Sequence, residues 1–234
     1  MFGDNRESKH MTRDSPKYDL KDKGLYATLS LGATMMALTI GGMLLFADTV
    51  LGELMQTLYT YPIVGVAVFG ALLTAGRHFG IKGVKENSTP KAVGGAVTLV
   101  LAYSWFGGGV LTSYDPSLYN SAIIITGAIT IAITLIASAY VYSTDKDLSH
   151  WSRYSGYMFM GVIVTALIGT LFPPLTLLAF GLAILGFFAD LVYEVWMTSR
   201  ENRPAYANGI ALYVAFAGVF VHILQLVLEV LASE

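Results

Sequence analysis

The chain has 234 residues, 55% of them hydrophobic and only 13% charged, with a mean hydropathy of +0.61. A soluble domain carries roughly 25% charged residues, so the natural solvent of this chain is a bilayer. A net charge of −2 gives no reason to expect a nucleic-acid partner, and the absence of cysteine excludes disulfides, thiolate metal sites and cysteine nucleophiles.

The first 24 residues are polar and of mixed charge, with no apolar run, and read as a cytoplasmic tail rather than a cleavable signal peptide. Charge-free stretches long enough to span a bilayer follow, each needing about 20 apolar residues. Leu25 to Ala47 is the first predicted helix. Leu54 to Gly76 is the second, entering lipid near Tyr61 and Pro62. Ala92 to Thr112 is the third and Asn120 to Tyr142 the fourth. From Tyr154 to Ala189 no residue is charged, and Pro173-Pro174 interrupts the run. Proline ends a helix, so the run reads as a hairpin of helix five, 154–172, and helix six, 175–197. Tyr206 to Leu231 is helix seven. The expected organisation is a tail, 1–24, and a seven-helix transmembrane domain, 25–234, all α.

Orientation follows from lysine and arginine. With seven crossings, all 14 of them fall on one side. They lie in the tail, in the predicted loop with Arg77, Lys82, Lys85 and Lys91, in the next with Lys146 and Arg153, and in the last with Arg200 and Arg203. The other side carries Asp48, Glu53, Asp115 and Glu234. The expected topology places the N-terminus in the cytoplasm and the C-terminus outside, in a membrane that the compact chain suggests is a prokaryotic plasma membrane. Helix seven lacks the lysine that a retinal protein needs. No GxSG or GxGD stretch supports an intramembrane protease, and no enzyme activity or cofactor is expected.

The membrane-embedded ionisable groups are then few. Residues 187–196, FFADLVYEVW, put Asp190 about 10 Å inside the predicted cytoplasmic end of helix six. An acid near a helix centre costs about 2.5–3.5 kcal/mol on insertion scales and marks an ion or proton pathway. Glu194, one turn from the predicted helix end, reads as an interfacial, solvated acid, yet it is close enough in depth to Asp190 to be a candidate for the ion pathway or gate, and His222 and Gln225 are candidates as well. On helix seven, Ala211, Ala215, Gly218, His222, Gln225 and Glu229 share one face. Such a small and polar face belongs against other helices. It is either a packing seam with a few satisfied hydrogen bonds or the lining of a polar path. Glu229, near the outer surface, reads as solvated.

The stretches TDKDLSHW at 144–151, FFADLVYEVW at the end of helix six, KAVGGAVTLVLAY at 91–103 and ALYVAFAGVFVHILQLVLEVL in helix seven resemble the Bax inhibitor-1 (TMBIM) family, including its YetJ-like branch. That resemblance implies a central seventh helix and a passive calcium leak. It also implies an aspartate pair, from helices six and seven, that senses pH, and an arginine of helix two that latches onto it. Asp190 matches the helix-six aspartate and would be the contact of the conducted metal ion, calcium or another cation. Arg77 matches the latch, with His78 beside it. The family's L-Y-x-D-F pattern stands here as Leu212-Tyr213-Val214-Ala215-Phe216, so Ala215 lacks the second acid. Two close carboxylates share a proton, whereas a lone acid beside a cation favours its charged form. The expectation is therefore a leak without the paired sensor and with little pH dependence near neutrality. The alternatives are a non-conducting membrane scaffold of the same fold, and a proton or small-solute transporter using His222.

Overall fold

The computed structural model describes residues 23–233 except Thr170, Pro173, Glu201 and Asn202. The tail expected at 1–24 lies outside the described residues apart from Lys23 and Gly24, which open the first helix. Pro173 and the acid expected outside at Glu234 also lie beyond them.

Every described element is helical: α1 (Lys23–Phe46), α2 (Val50–Thr60), α3 (Pro62–Lys85), α4 (Thr89–Leu111), a 3₁₀ turn (Pro116–Leu118), α5 (Tyr119–Ser143), α6 (His150–Gly169), α7 (Pro174–Arg200) and α8 (Ala205–Leu231). Six helical stretches are long and apolar enough to cross a membrane: Gly24–Phe46, Val64–Lys85, Thr89–Leu111, Pro116–Ser143, Leu177–Arg200 and Ala205–Leu231. The chain is thus an all-α integral membrane protein. The seven apolar crossings expected become six on this criterion. Among the described helices the short α2 and also α6 fall outside the set, α6 because its first turns, including His150-Trp151-Ser152-Arg153, are polar.

The second predicted helix is two helices. Tyr61 closes α2 and opens α3, with Pro62 in the first turn of α3. Proline is tolerated there because the first-turn N–H has no helical acceptor to lose. Thr49 caps α2, its side chain accepting from the Gly52 N–H at 3.4 Å. The predicted end at Gly76 is also corrected. Helix α3 runs on to Lys85, so Arg77, Lys82 and Lys85 are helical residues and not loop residues, and Lys91 lies in the first turn of α4. Lys82 and Lys85 sit in the last turn of α3, where cations face the negative end of the helix dipole. Asn87 then turns the chain at φ 52°, a left-handed conformation that asparagine tolerates.

Helix α8 packs against α1, α7, α5, α3 and α4, and it is buried almost all round from Ala207 to Val221. The leucines and isoleucines of the outer helices, such as Leu38, Ile124, Leu135 and Leu177, point away from the bundle. Lipid is as apolar as leucine, so close van der Waals approach and polar contacts must hold the helices together. The α3–α4 pair shows this. A Cβ at Gly95 would meet the Gly80 backbone, and one at Gly83 would meet the Ala92 backbone. The glycines let two backbones touch along the half of α3 that carries Arg77.

Candidate functional site

Arg77 lies on α3, one residue beyond Gly76, whose Cβ position is filled by Leu99 of α4. With that face pinned to α4, the guanidinium reaches across to α7. Its Nη1 donates to Asp190 Oδ2 at 3.1 Å, and its Nη2 donates to Glu194 Oε1. Asp190 and Glu194 are four residues apart and so share a helical face. A second cation closes the group: Arg203, in the connection from α7 to α8, donates from Nη2 to Glu194 Oε2 at 2.8 Å.

Glu194 is thereby corrected from an interfacial acid to a fully buried one, with 0% of its surface exposed, and Asp190 is buried too. The physical reason is the length of α7. It continues to Arg200 instead of stopping at residue 197, and Arg203 folds back over the acid. Two carboxylates and two guanidinium groups form a charge-balanced network with charge-assisted hydrogen bonds at three of the four carboxylate oxygens. Such groups are tolerable away from water only when paired in this way. Arg77 keeps 32% of its side chain exposed and Arg203 keeps 15%, so the network has an accessible edge on the α3 side. Arg200 turns elsewhere, donating to the Thr144 carbonyl at 2.7 Å and lying 3.7 Å from Asp145.

A cavity of about 940 Å³ runs from Gly65 and Phe69 of α3, past Phe106, Phe159 and Phe187, to Arg77, His78 and Asp190. His222 of α8 lines the same cavity. Its Nδ1 lies 2.8 Å from the Gly218 carbonyl oxygen, which only accepts, so Nδ1 carries the proton in this hydrogen bond. Rings of Phe106, Phe180 and Phe187 surround it at centroid distances of 5.8, 5.6 and 5.3 Å. Gly218 leaves the space that the Phe187 ring fills. Asp190 and His222, which the sequence places on different helices, therefore line one chamber. Gln225 and Glu229 do not join it. Gln225 is half-buried, Glu229 is exposed, and they lie 3.5 Å apart on the outer turns of α8. His78 is exposed beside Arg77. Among the described residues no three acids or histidines gather into a metal-holding group. Calcium takes six to eight oxygens, more than Asp190 and Glu194 supply, and Arg77 is hydrogen-bonded to both acids.

Sequence reasoning missed Arg203. The available signal was its place in the short connection directly after a helix that ends with a buried acid.

The family profile of Inhibitor of apoptosis-promoting Bax1 matches residues 22–231, nearly the whole chain. The chain belongs to the Bax inhibitor-1 family. A protein of Borreliella burgdorferi described only as uncharacterized is similar to it, 28% identical over 144 residues, which is 56% of this chain and 62% of that protein. The chain thus spans less than two thirds of that relative's length. No solved structure matches it. Against the resemblance drawn above to the Bax inhibitor-1 family, the position where a helix-seven acid was expected holds Ala215, fully buried with Phe187, Leu191 and Val192 of α7. The second carboxylate near Asp190 comes instead from its own helix, as Glu194. The flat pH response expected of a lone Asp190 therefore no longer follows.

Proposed function

We propose that this protein is a passive cation leak, calcium first, whose closed state is held by Arg77. The observation that carries this reading is the Arg77–Asp190–Glu194–Arg203 network at the end of a cavity that also reaches His222. In the closed state Arg77 occupies the carboxylates that an entering cation needs. When Arg77 swings toward its exposed side, Asp190 and part of Glu194 become free to replace a cation's hydration shell. Arg203 stays on Glu194 and keeps the second acid in place.

The proposed topology has seven crossings, with α6 as the extra one. Its 20 residues reach about 30 Å, enough to span. It packs extensively against α7, as α3 does against α4. A few residues connect the two, so α6 and α7 lie side by side across the same depth. Seven crossings put every lysine and arginine on one face, which the positive-inside rule makes cytoplasmic, with the C-terminus outside. Arg77, Asp190 and Glu194 then lie toward the cytoplasmic face, and the host membrane is proposed to be a prokaryotic plasma membrane.

The test is calcium entry into proteoliposomes. Arg77→Ala should raise the leak and Asp190→Asn should lower it. Equal flux in all three proteins would sink the proposal. A second reading has its own support: the network is charge-balanced and closed as it stands, as a non-conducting scaffold would need. Flux no greater than that of empty vesicles, in wild type and in Arg77→Ala alike, would favour it.

A further inference from the structure

We propose that the cleft between α3 and α6 binds an anionic phospholipid, one acyl chain lying in the cavity and its phosphate at Lys82 and Lys85, where it competes with Asp190 and Glu194 for Arg77. The effect on flux rests on the leak reading above; the binding does not.

Helix α6 leans on α7 and touches α3 only sparsely. The cavity between them is lined by Phe69, Leu73, Phe159, Val162, Ile163 and Ala166. Ile163, Ala71 and Thr74 of its rim are exposed, so it opens on the outer surface of the bundle. In a membrane such an opening faces lipid, and its apolar lining between α3 and α6 accepts an acyl chain. Its volume, about 940 Å³, is at the upper end of what small-ligand pockets offer.

The chemistry changes at one end of the cleft. An open groove along α3 shares Thr74, Arg77 and His78 with the cavity and adds Ile81, Lys82 and Lys85. These residues belong to the last three turns of one helix, so the cleft passes from apolar to cationic within about 15 Å. Glu86 is the acid at this end, and Lys91 holds it at 2.7 Å while Lys82 stands 3.8 Å away. Lys82 is thus loosely engaged, and Lys85 has no ion pair among the described residues. Lysines clustered on one helix face beside a membrane attract anionic lipid head groups for this reason. Arg77 exposes its open side to both the cavity and the groove. A guanidinium prefers bidentate oxyanions, and a phosphate arriving at Lys82 and Lys85 offers one.

Native mass spectrometry of the full chain, released from detergent with phosphatidylglycerol or phosphatidylcholine, tests the site. Phosphatidylglycerol should be retained in preference. The double variant Lys82→Gln/Lys85→Gln should weaken that retention roughly thirtyfold, the ratio given by about 1 kcal/mol per lysine. Ala71→Trp, which fills the cleft without touching a charge, should also lower it. Equal retention of the two lipids, or unaltered retention in the double variant, overturns the site. Displacement of the lipid by glycerol 3-phosphate alone shows that the chain contributes nothing and overturns the acyl part. Calcium flux is then compared in phosphatidylcholine vesicles and in vesicles of equal parts phosphatidylcholine and phosphatidylglycerol. Wild type should leak several-fold faster with the anionic lipid. The double variant should lose most of that difference, and Arg77→Ala should be fast in both. Selective retention without any change in flux overturns the competition for Arg77. Absence of flux in every vesicle overturns the leak itself, and the mass spectra still decide the site.

Discussion

Two polar groups line the same chamber, and the bundle accommodates them in opposite ways. At one end, Asp190 and Glu194 are carboxylates, and they are held by cations from α3 and from the connection after α7. At the other, His222 has a hydrogen bond to its own helix and a cage of phenylalanine rings. An imidazole can be buried uncharged, so one local acceptor and three rings suffice. A carboxylate–guanidinium group needs partners converging from separate elements, because an unpaired charge away from water is far more costly. The histidine site is therefore built by one helix and filled by its neighbours. The ion network exists only where three segments meet.

Removing a cation should give the largest effect on this contrast. Arg77→Ala leaves two buried carboxylates with only Arg203 between them. It should cost about 3 kcal/mol, the lower end of the range for breaking a buried pair because Arg77 is part-exposed. Thermal unfolding in detergent checks this, and a loss below about 1 kcal/mol would mean the network is already hydrated.

Glu194→Gln should come next, at about 2–3 kcal/mol, because that side chain accepts from both arginines. Asp190→Asn, with one arginine contact, should cost less, at about 1–2 kcal/mol. Reversal of this order would show Asp190 to be the centre of the network. Combining Arg77→Ala with Glu194→Gln in a double-mutant cycle should give clear non-additivity, since the two side chains touch.

His222→Phe should cost about 1–1.5 kcal/mol, since the new ring is somewhat larger than imidazole but enters an aromatic cage beside a cavity. The Gly218 carbonyl keeps its helical N–H donor. The proposed cation flux should persist in this variant. Abolished flux with unchanged stability would move the chemistry to His222 and favour a proton or small-solute transporter.

The smallest effect lies outside the spans. Lys91 beside Glu86, then Lys82, holds the Glu86 carboxyl below its ordinary value of 4.5. A group whose folded pKa is depressed stabilises above its unfolded value and loses that contribution as pH falls through the folded one. Lys91→Gln should therefore lower the melting temperature only slightly at neutral pH, and even that difference from wild type should vanish as the pH falls below about 4.5. A large shift at neutral pH would mean that the α3–α4 connection is a structural anchor and not a solvated surface.

The amino-acid sequence by itself determined the all-α membrane class and the approximate place of each long helix. It also singled out Asp190 as an acid that needs a partner. These are properties of local composition: an apolar run of sufficient length must satisfy its backbone internally, and a charge within it is anomalous whatever surrounds it. The resemblance carried by short motifs pointed to Arg77 as that partner. The tertiary structure alone decided the fate of Glu194 and the part played by Arg203. A carboxylate near a helix end is solvated or buried according to what packs over it, and Arg77 is 117 residues away in the chain. The same holds for the shared chamber of Asp190 and His222 and for its opening between α3 and α6. Both depend on α6 leaning toward α7 and away from α3, which no helical periodicity encodes, because a bilayer makes all apolar faces alike until neighbouring helices choose among them.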